Sequence, residues 1–316
     1  MKITKQEVER ATKLYDLGKV KKISSIGGGL VNYNFNVKTD GGDYVFRFLG
    51  RKLDDYKKRK LKLEFRVLNY LKKKKFPYRI PDPIKNKKGQ VLTTVKGRNL
   101  WIYERIKGKK VSKINGAQLK SLVKALAVYH KYVSSMNARR LKEDYIWLMK
   151  KYSVMEKVKP KNKVDRIMLE NIDLFKDCLK DVSINLETGL LANHTDFHQG
   201  NLLFDGNEVV GILDFESVIV SPRVRDIAYA VKQYCFNKSK LSKSKMKNLL
   251  REYQKINPLS KKEIAMILPF IIRDSCVVFW WFYSELKKSK HKQYLYLKSS
   301  SERVKGLLRQ IRVNIS

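Results

Sequence analysis

Residues 193 to 216, NHTDFHQGNLLFDGNEVVGILDFE, constrain the fold more than any other part of the chain. They hold His194-x-Asp196-x4-Asn201, the strand-like run NLLF, a turn at Asp205-Gly206-Asn207, a second run VVGILDF, and Asp214-Phe215-Glu216. Two short apolar runs around an Asp-Gly-Asn turn read as a hairpin. A hairpin between Asn201 and Asp214 brings an amide and a carboxylate to one edge, with Asp196 just upstream. H-x-D-x4-N alone is too short to be specific. Here each motif borders a strand-like run in a fixed order, and such context gives a motif its weight.

Around this core the periodicity changes once. Early on, LVNYNFNVK alternates Val31, Tyr33, Phe35 and Val37 with three asparagines, the period of a half-buried strand. The turn TDGGD and the run YVFRFL complete a hairpin. A helix is expected over roughly Tyr56 to Lys74, with Leu61, Phe65, Leu68 and Leu71 at helical spacing. The prolines of FPYRIPDPI end it. The runs GQVLTTV and NLWIYERI read as two further strands, and beyond Gly108 the pattern is mainly helical, as over Gln118 to Val133. A chain of 316 residues suffices for two lobes sharing a cleft. The expected fold class is therefore α+β: a strand-rich lobe over residues 1–105, Glu104 to Gly108 as connector, and a helix-rich lobe over 106–316.

Charge and composition narrow the field less. The net charge of +39, from 69 Lys+Arg against 30 Asp+Glu, raises nucleic acid or anionic lipid as a partner. The lysines are spread along the chain, and the densest runs, KKRKLK and KKKK, fall on or at the end of a helical pattern, where a solvated face is the plain reading. A nucleic-acid-binding role is thus not favoured. Cys178, Cys235 and Cys276 lie far apart without CxxC spacing, which suits a reducing, cytoplasmic compartment. No secretory signal is visible, and the first 18 residues read as an amphipathic helix ended by Gly18. The apolar run Ile264 to Tyr283 carries Arg273 and Asp274 at its middle and Pro269 in its first half. A charged pair is costly at a bilayer centre, so a buried helix pair or bent helix is expected rather than a membrane span.

Phosphoryl transfer from ATP needs a carboxylate beside the attacking hydroxyl, and a carboxylate plus an amide oxygen to hold Mg²⁺ on the phosphates. The 193–216 stretch resembles the catalytic and metal-binding loops of the aminoglycoside phosphotransferase and choline kinase superfamily, relatives of the protein kinases. The resemblance implies a bilobal protein-kinase-like fold that uses ATP and Mg²⁺. It makes Asp196 the catalytic base and Asn201 and Asp214 the metal ligands. HTD stands where protein kinases have HRD, and DFE where they have DFG; both departures are common in the small-molecule branch. Glu216 could add a metal contact. His194 and His198 have no third metal ligand in view, so His194 is read as packing behind the loop. Asp226, in PRVRD, matches the aspartate that steadies the catalytic loop, and a helix N-cap is its other reading.

The strand-rich lobe offers a separate check. The family needs a strand cation on the ATP phosphates, held by a helix glutamate. Arg47 in YVFRFL and Glu64, within the apolar stripe of the following helix, fit these places, although lysine is more usual than Arg47. Gly27, Gly28 and Gly29 could lie over the phosphates or form a plain turn. The segment from Trp101 through Glu104 to Ile106 would meet adenine through backbone groups.

Among members of this superfamily, the chain most resembles homoserine kinases of the same fold, through YDLGKV, VNYNF, RDIAYAVKQYCF and ILPFIIRDSCVVFWWF. That implies a small-molecule hydroxyl acceptor, with homoserine first and aminoglycosides or choline and ethanolamine as alternatives. Arg273 is a candidate for an acceptor carboxylate, and a structural ion pair serves it equally well.

Overall fold

A computed structural model describes residues 3–27, 32–50, 52–137, 146–181, 189–284 and 290–312. In chain order the elements are α1 (Lys5–Lys13), β1 (Val20–Ile26), β2 (Tyr33–Thr39), β3 (Asp43–Phe48), α2 (Asp55–Lys73), β4 (Thr93–Val95) and β5 (Arg98–Glu104). The helices α3 (Gly116–Val133), α4 (Ile146–Met155) and α5 (Lys163–Asp181) follow, then β6 (Leu190–Asn193), β7 (Leu202–Asp205), β8 (Glu208–Ile212) and β9 (Ile219–Pro222). Last come α6 (Val224–Tyr234), β10 (Phe236–Asn237), β11 (Lys240–Leu241), α7 (Lys243–Gln254), α8 (Lys261–Ser284) and α9 (Lys290–Arg312). Two compact units result: Met1–Gln118 with Gln199–Val218, and Leu119–His198 with Ile219–Ser316.

In the first unit an antiparallel five-stranded sheet has the order β1-β2-β3-β5-β4. Its alternation buries Val37, Phe46, Phe48, Leu100 and Ile102 against Val8 and Ala11 of α1. Burying each large side chain contributes about 1.5–3 kcal/mol. α1 begins with a capping box, in which Thr4 and Glu7 satisfy each other's backbone N–H groups. α2 buries Leu63, Glu64, Val67, Leu68 and Leu71, so a carboxylate sits inside an otherwise apolar stripe. Register places Arg47 opposite Asn34 on β2 and Trp101 on β5. The β7–β8 hairpin joins this unit through bridges from Phe204 to Lys109 and from Gly211 to Arg79. A side chain at Gly211 would come within 3.0 Å of Ile106 Cγ2, so glycine is what lets the hairpin approach.

The second unit is mainly helical, with β6 and β9 forming a short antiparallel pair. Its core stacks Phe175 on Phe279 at 4.1 Å between ring centres, and Tyr152 donates to the Cys276 carbonyl at 2.9 Å. The apolar run near the C-terminus is one continuous 24-residue helix, α8, with Pro269 inside it. Of the two expected forms, a helix pair or a bent helix, the helix pair is therefore corrected. Packing of Ile267, Phe270, Ile271, Ile272, Cys276 and Phe279 outweighs the hydrogen bond that Pro269 removes. Among the described residues α8 is the one helix long and apolar enough to cross a membrane. It packs on α5, α6 and α9.

Candidate active site

In the first unit, the β7–β8 hairpin does what its sequence requires. The Leu213 N–H donates to the Asn201 carbonyl at 2.8 Å, closing the open end of the hairpin and setting Asn201 beside the backbone of Asp214. Asp214 then takes φ 66° and ψ 61°, a left-handed conformation that costs a non-glycine residue about 1–3 kcal/mol. It stands at the N-cap position of a single 3₁₀ turn, yet its side chain makes no capping hydrogen bond. The carboxylate instead meets Arg47, whose Nη2 lies 2.8 Å from Asp214 Oδ1 and 2.6 Å from Glu216 Oε2. Asn32 Nδ2 also donates to Glu216 Oε2. Lys60 of α2 donates to the Ser217 carbonyl at 3.0 Å and also to that of Val218, tying the helix to the segment after Glu216.

Arg47 is 5% exposed and Glu64 is 3% exposed. Burial alone would lower the Arg47 pKa, but Asp214, Glu216 and Glu64 raise it well above the ordinary value, so the guanidinium is charged. Burial raises Glu64 to about 7, with Arg47 opposing and the carboxylates of Glu216 and Asp214 adding to the rise. Glu64 Oε1 and Arg47 Nε are both buried without a hydrogen-bond partner. The two residues therefore share a buried electrostatic cluster, while the hydrogen bonds of Arg47 go to the loop carboxylates. Trp101 lies under Arg47, its ring centre 5.8 Å from Cζ. Glu104 ends β5, exposed, and Ile106 packs near Gly211. Gly27 directly follows β1 with open space around it, whereas Gly28 and Gly29 lie outside the described residues.

The second unit carries Asp196. Tyr229 Oη donates to Asp196 Oδ1 at 2.7 Å, and His198 Nε2 lies 3.4 Å from the same oxygen. Burial would raise the Asp196 pKa; His198, by hydrogen bond and charge, and Tyr229 outweigh it and hold the pKa at about 2. Tyr229 itself is pushed well above its usual value by burial and by Asp196, so it remains a donor. Behind the loop, Asp226 is fully buried at the first turn of α6. Its Oδ2 accepts from the His194 N–H at 2.7 Å and its Oδ1 from the Thr195 N–H at 2.7 Å. His130 Nε2 lies 3.1 Å from Oδ2, and His130 Nδ1 lies 2.7 Å from Tyr253 Oη. These bonds brace Thr195 at φ 61°, a rare conformation for a β-branched residue and one that directly precedes Asp196. His194 is buried and packs edge-on against Phe197 and Tyr129.

Arg273 lies on α8, 5% exposed, with its guanidinium 6.0 Å from the Phe270 ring centre. Asn32, Lys60 and Tyr229 belong to the two clusters without having been singled out in the sequence, and His198, weighed there only as half of a metal pair, lies beside Asp196. Only Tyr229 had a signal, three residues after Asp226 and so on a neighbouring face of the helix. The donor set fits Mg²⁺: a carboxylate and an amide oxygen are hard ligands, and Mg²⁺ needs few of them from protein because it keeps waters and phosphate oxygens.

The fold is of the protein-kinase-like α+β type. Among solved structures, the microcompartment-associated aminopropanol kinase superposes with a TM-score of 0.73 at 14% identity, covering 98% of both chains. Spectinomycin phosphotransferase in complex with ADP and spectinomycin superposes at 0.70 and 14%, again over 98% of both. The chain is 24% identical over 283 residues to the homoserine kinase of Methylobacillus flagellatus, over 87% of this chain and 83% of that protein. The homoserine kinase of Caulobacter vibrioides is 26% identical over 289 residues, covering 88% and 86%. The phosphotransferase enzyme family model matches residues 22–254. The chain belongs to the phosphotransferase enzyme family, and it is a small-molecule kinase.

Proposed function

We propose that the chain is an ATP- and Mg²⁺-dependent kinase of a small hydroxylated amino acid, with L-homoserine the first acceptor to test. The observation that carries the reading is the setting of Asp196: a buried carboxylate kept ionised by Tyr229 and His198 on a loop braced by Asp226. An ionised carboxylate of this kind orients an acceptor hydroxyl and takes its proton as the new bond to phosphorus forms. Asp214 and Asn201 would hold Mg²⁺, and Arg47 would meet the phosphates with Glu64 in the same buried cluster. Mg·ATP, when bound, supplies the phosphoryl group and offsets its negative charge. In this division residues 1–105 serve the nucleotide, and residues 106–316 supply the metal ligands, the base and the acceptor site.

The similarity to homoserine kinases over most of the chain supports the choice of acceptor. An amino alcohol is the second reading, favoured by the structural likeness to an aminopropanol kinase. Release of ADP should be measured over a panel of homoserine, 3-aminopropanol, choline and aminoglycosides. Homoserine is expected to give the highest kcat/KM. Choline or an aminoglycoside ahead of homoserine would contradict the choice, and no release above background with any hydroxyl compound would contradict the kinase reading itself.

A further inference from the structure

α6 presents Arg225, Tyr229 and Lys232 at intervals of four and three residues, which places them on one face of the helix. Tyr229 is the hydroxyl donor to Asp196, and the Lys232 ammonium lies 5.3 Å from the centre of the Tyr229 ring. Lys232 is 5% exposed, and among the described residues its ammonium has no hydrogen bond and no carboxylate within ion-pair distance. Two more cations share its surroundings. Arg225 is held 3.4 Å from Asp274 of α8. Arg303 of α9 has a buried Nε without a partner and lies 5.5 Å from the Phe236 ring centre.

Lys232 thus lies near two other cations, Arg225 and Arg303, and among the described residues its ammonium has no counter-ion within ion-pair distance. A buried ammonium without an anionic partner costs several kcal/mol. Burial lowers the Lys232 pKa to about 8, with Asp274 and Asp196 pulling it up and Arg303 and Arg225 pushing it down. An anion placed here would relieve that cost. Lys232 and Asp196 both meet one phenol, the first over its ring and the second at its hydroxyl, which puts a cation and the proposed base on either side of Tyr229.

We propose that Lys232, supported by Arg303 and Arg225, binds a carboxylate of the acceptor, which makes the substrate class a short-chain hydroxylated carboxylic acid. The assignment rests on Asp196 as the group that faces the acceptor hydroxyl. Arg273, the cation that the sequence suggests for this role, sits over Phe270 on the neighbouring helix and already has a partner.

The test compares L-homoserine with 3-aminopropanol, the same molecule without the carboxylate, by ADP release in the wild type, Lys232→Met and Lys232→Arg. Wild type should prefer homoserine in kcat/KM by roughly 10- to 100-fold, the usual worth of a charge-assisted hydrogen bond. Lys232→Met should collapse that ratio towards one, and Lys232→Arg should recover most of it. Because Lys232→Met removes an unpaired buried cation, it should melt no lower than wild type. An independent arm needs no turnover: L-2-aminobutyrate, which keeps the carboxylate and lacks the hydroxyl, should bind wild type in calorimetry and not Lys232→Met. A ratio equal in wild type and Lys232→Met overturns the proposal, as does a collapse produced by Arg273→Met instead. Lys232-dependent binding of L-2-aminobutyrate with no ADP release from any acceptor supports the carboxylate site and sinks the kinase reading on its own.

Discussion

Arg47 and Asp214 are joined by an ion pair of 2.8 Å between Nη2 and Oδ1. The pair links the strand cation to the loop carboxylate assigned to the metal, across 167 residues of sequence. Both residues carry a cost that a plain structural ion pair does not need. Arg47 is desolvated, and Asp214 is held in the left-handed region. Strain of this kind concentrates where backbone geometry serves a ligand.

Asp214→Ala should therefore remove the dependence of nucleotide binding on Mg²⁺. Titrating ATP with and without Mg²⁺ should show the metal strengthening binding in wild type by roughly 10- to 100-fold, as expected for a charged ligand, and hardly at all in the variant. If Mg²⁺ strengthens binding equally in both, Asp214 serves the Arg47 pair alone.

Glu64 gives a pH signature. Its pKa is raised from 4.5 to about 7, chiefly by burial. The folded state then holds a proton that the unfolded state has released, so the contribution of Glu64 to stability is full below pH 4.5 and is lost as pH rises through 7. The loss is on the order of 3 kcal/mol. Glu64→Gln cannot titrate, so its melting temperature relative to wild type should rise between pH 5 and pH 8. A difference that stays flat over that range would mean that Glu64 is ionised at all of these pH values.

Asp226 holds two backbone N–H groups and one imidazole in full burial. Removing the charge of a buried, fully partnered carboxylate typically costs about 3–5 kcal/mol. Asp226→Asn should lower the denaturation midpoint accordingly and reduce kcat more than it changes the KM for ATP, since Thr195 is released beside Asp196. Unchanged stability would mean that the loop is braced by other contacts.

How much of this could be read from the chain depended on whether one residue's neighbours are local. VNYNFNVK declared β2 because one face of that strand is half-buried and its polar residues alternate. β1, with the sequence VKKISSI, went unread: none of its residues is fully buried, so an edge strand left no clear alternation. β6 and β9 are four residues each and buried almost throughout, which hides the period of two. Asp196, Asn201 and Asp214 were legible because a hairpin and its flanks lie within one short stretch. Tyr229, Lys60 and Asn32 were not, since their contacts form only when separate elements pack. The same holds for Lys232, which in sequence is one lysine among many on a helix and in the fold is a buried cation over the Tyr229 ring.

The central claim is that Asp196 receives the proton of an acceptor hydroxyl, and the turnover of Asp196→Asn with saturating ATP and acceptor tests it most directly. The amide can still accept a hydrogen bond from Tyr229 but cannot take a proton at neutral pH. The account predicts a fall in kcat of about 10²–10⁴, with the affinity for Mg·ATP within a few-fold of wild type. Turnover close to that of wild type, or loss of nucleotide binding in step with loss of rate, would contradict it.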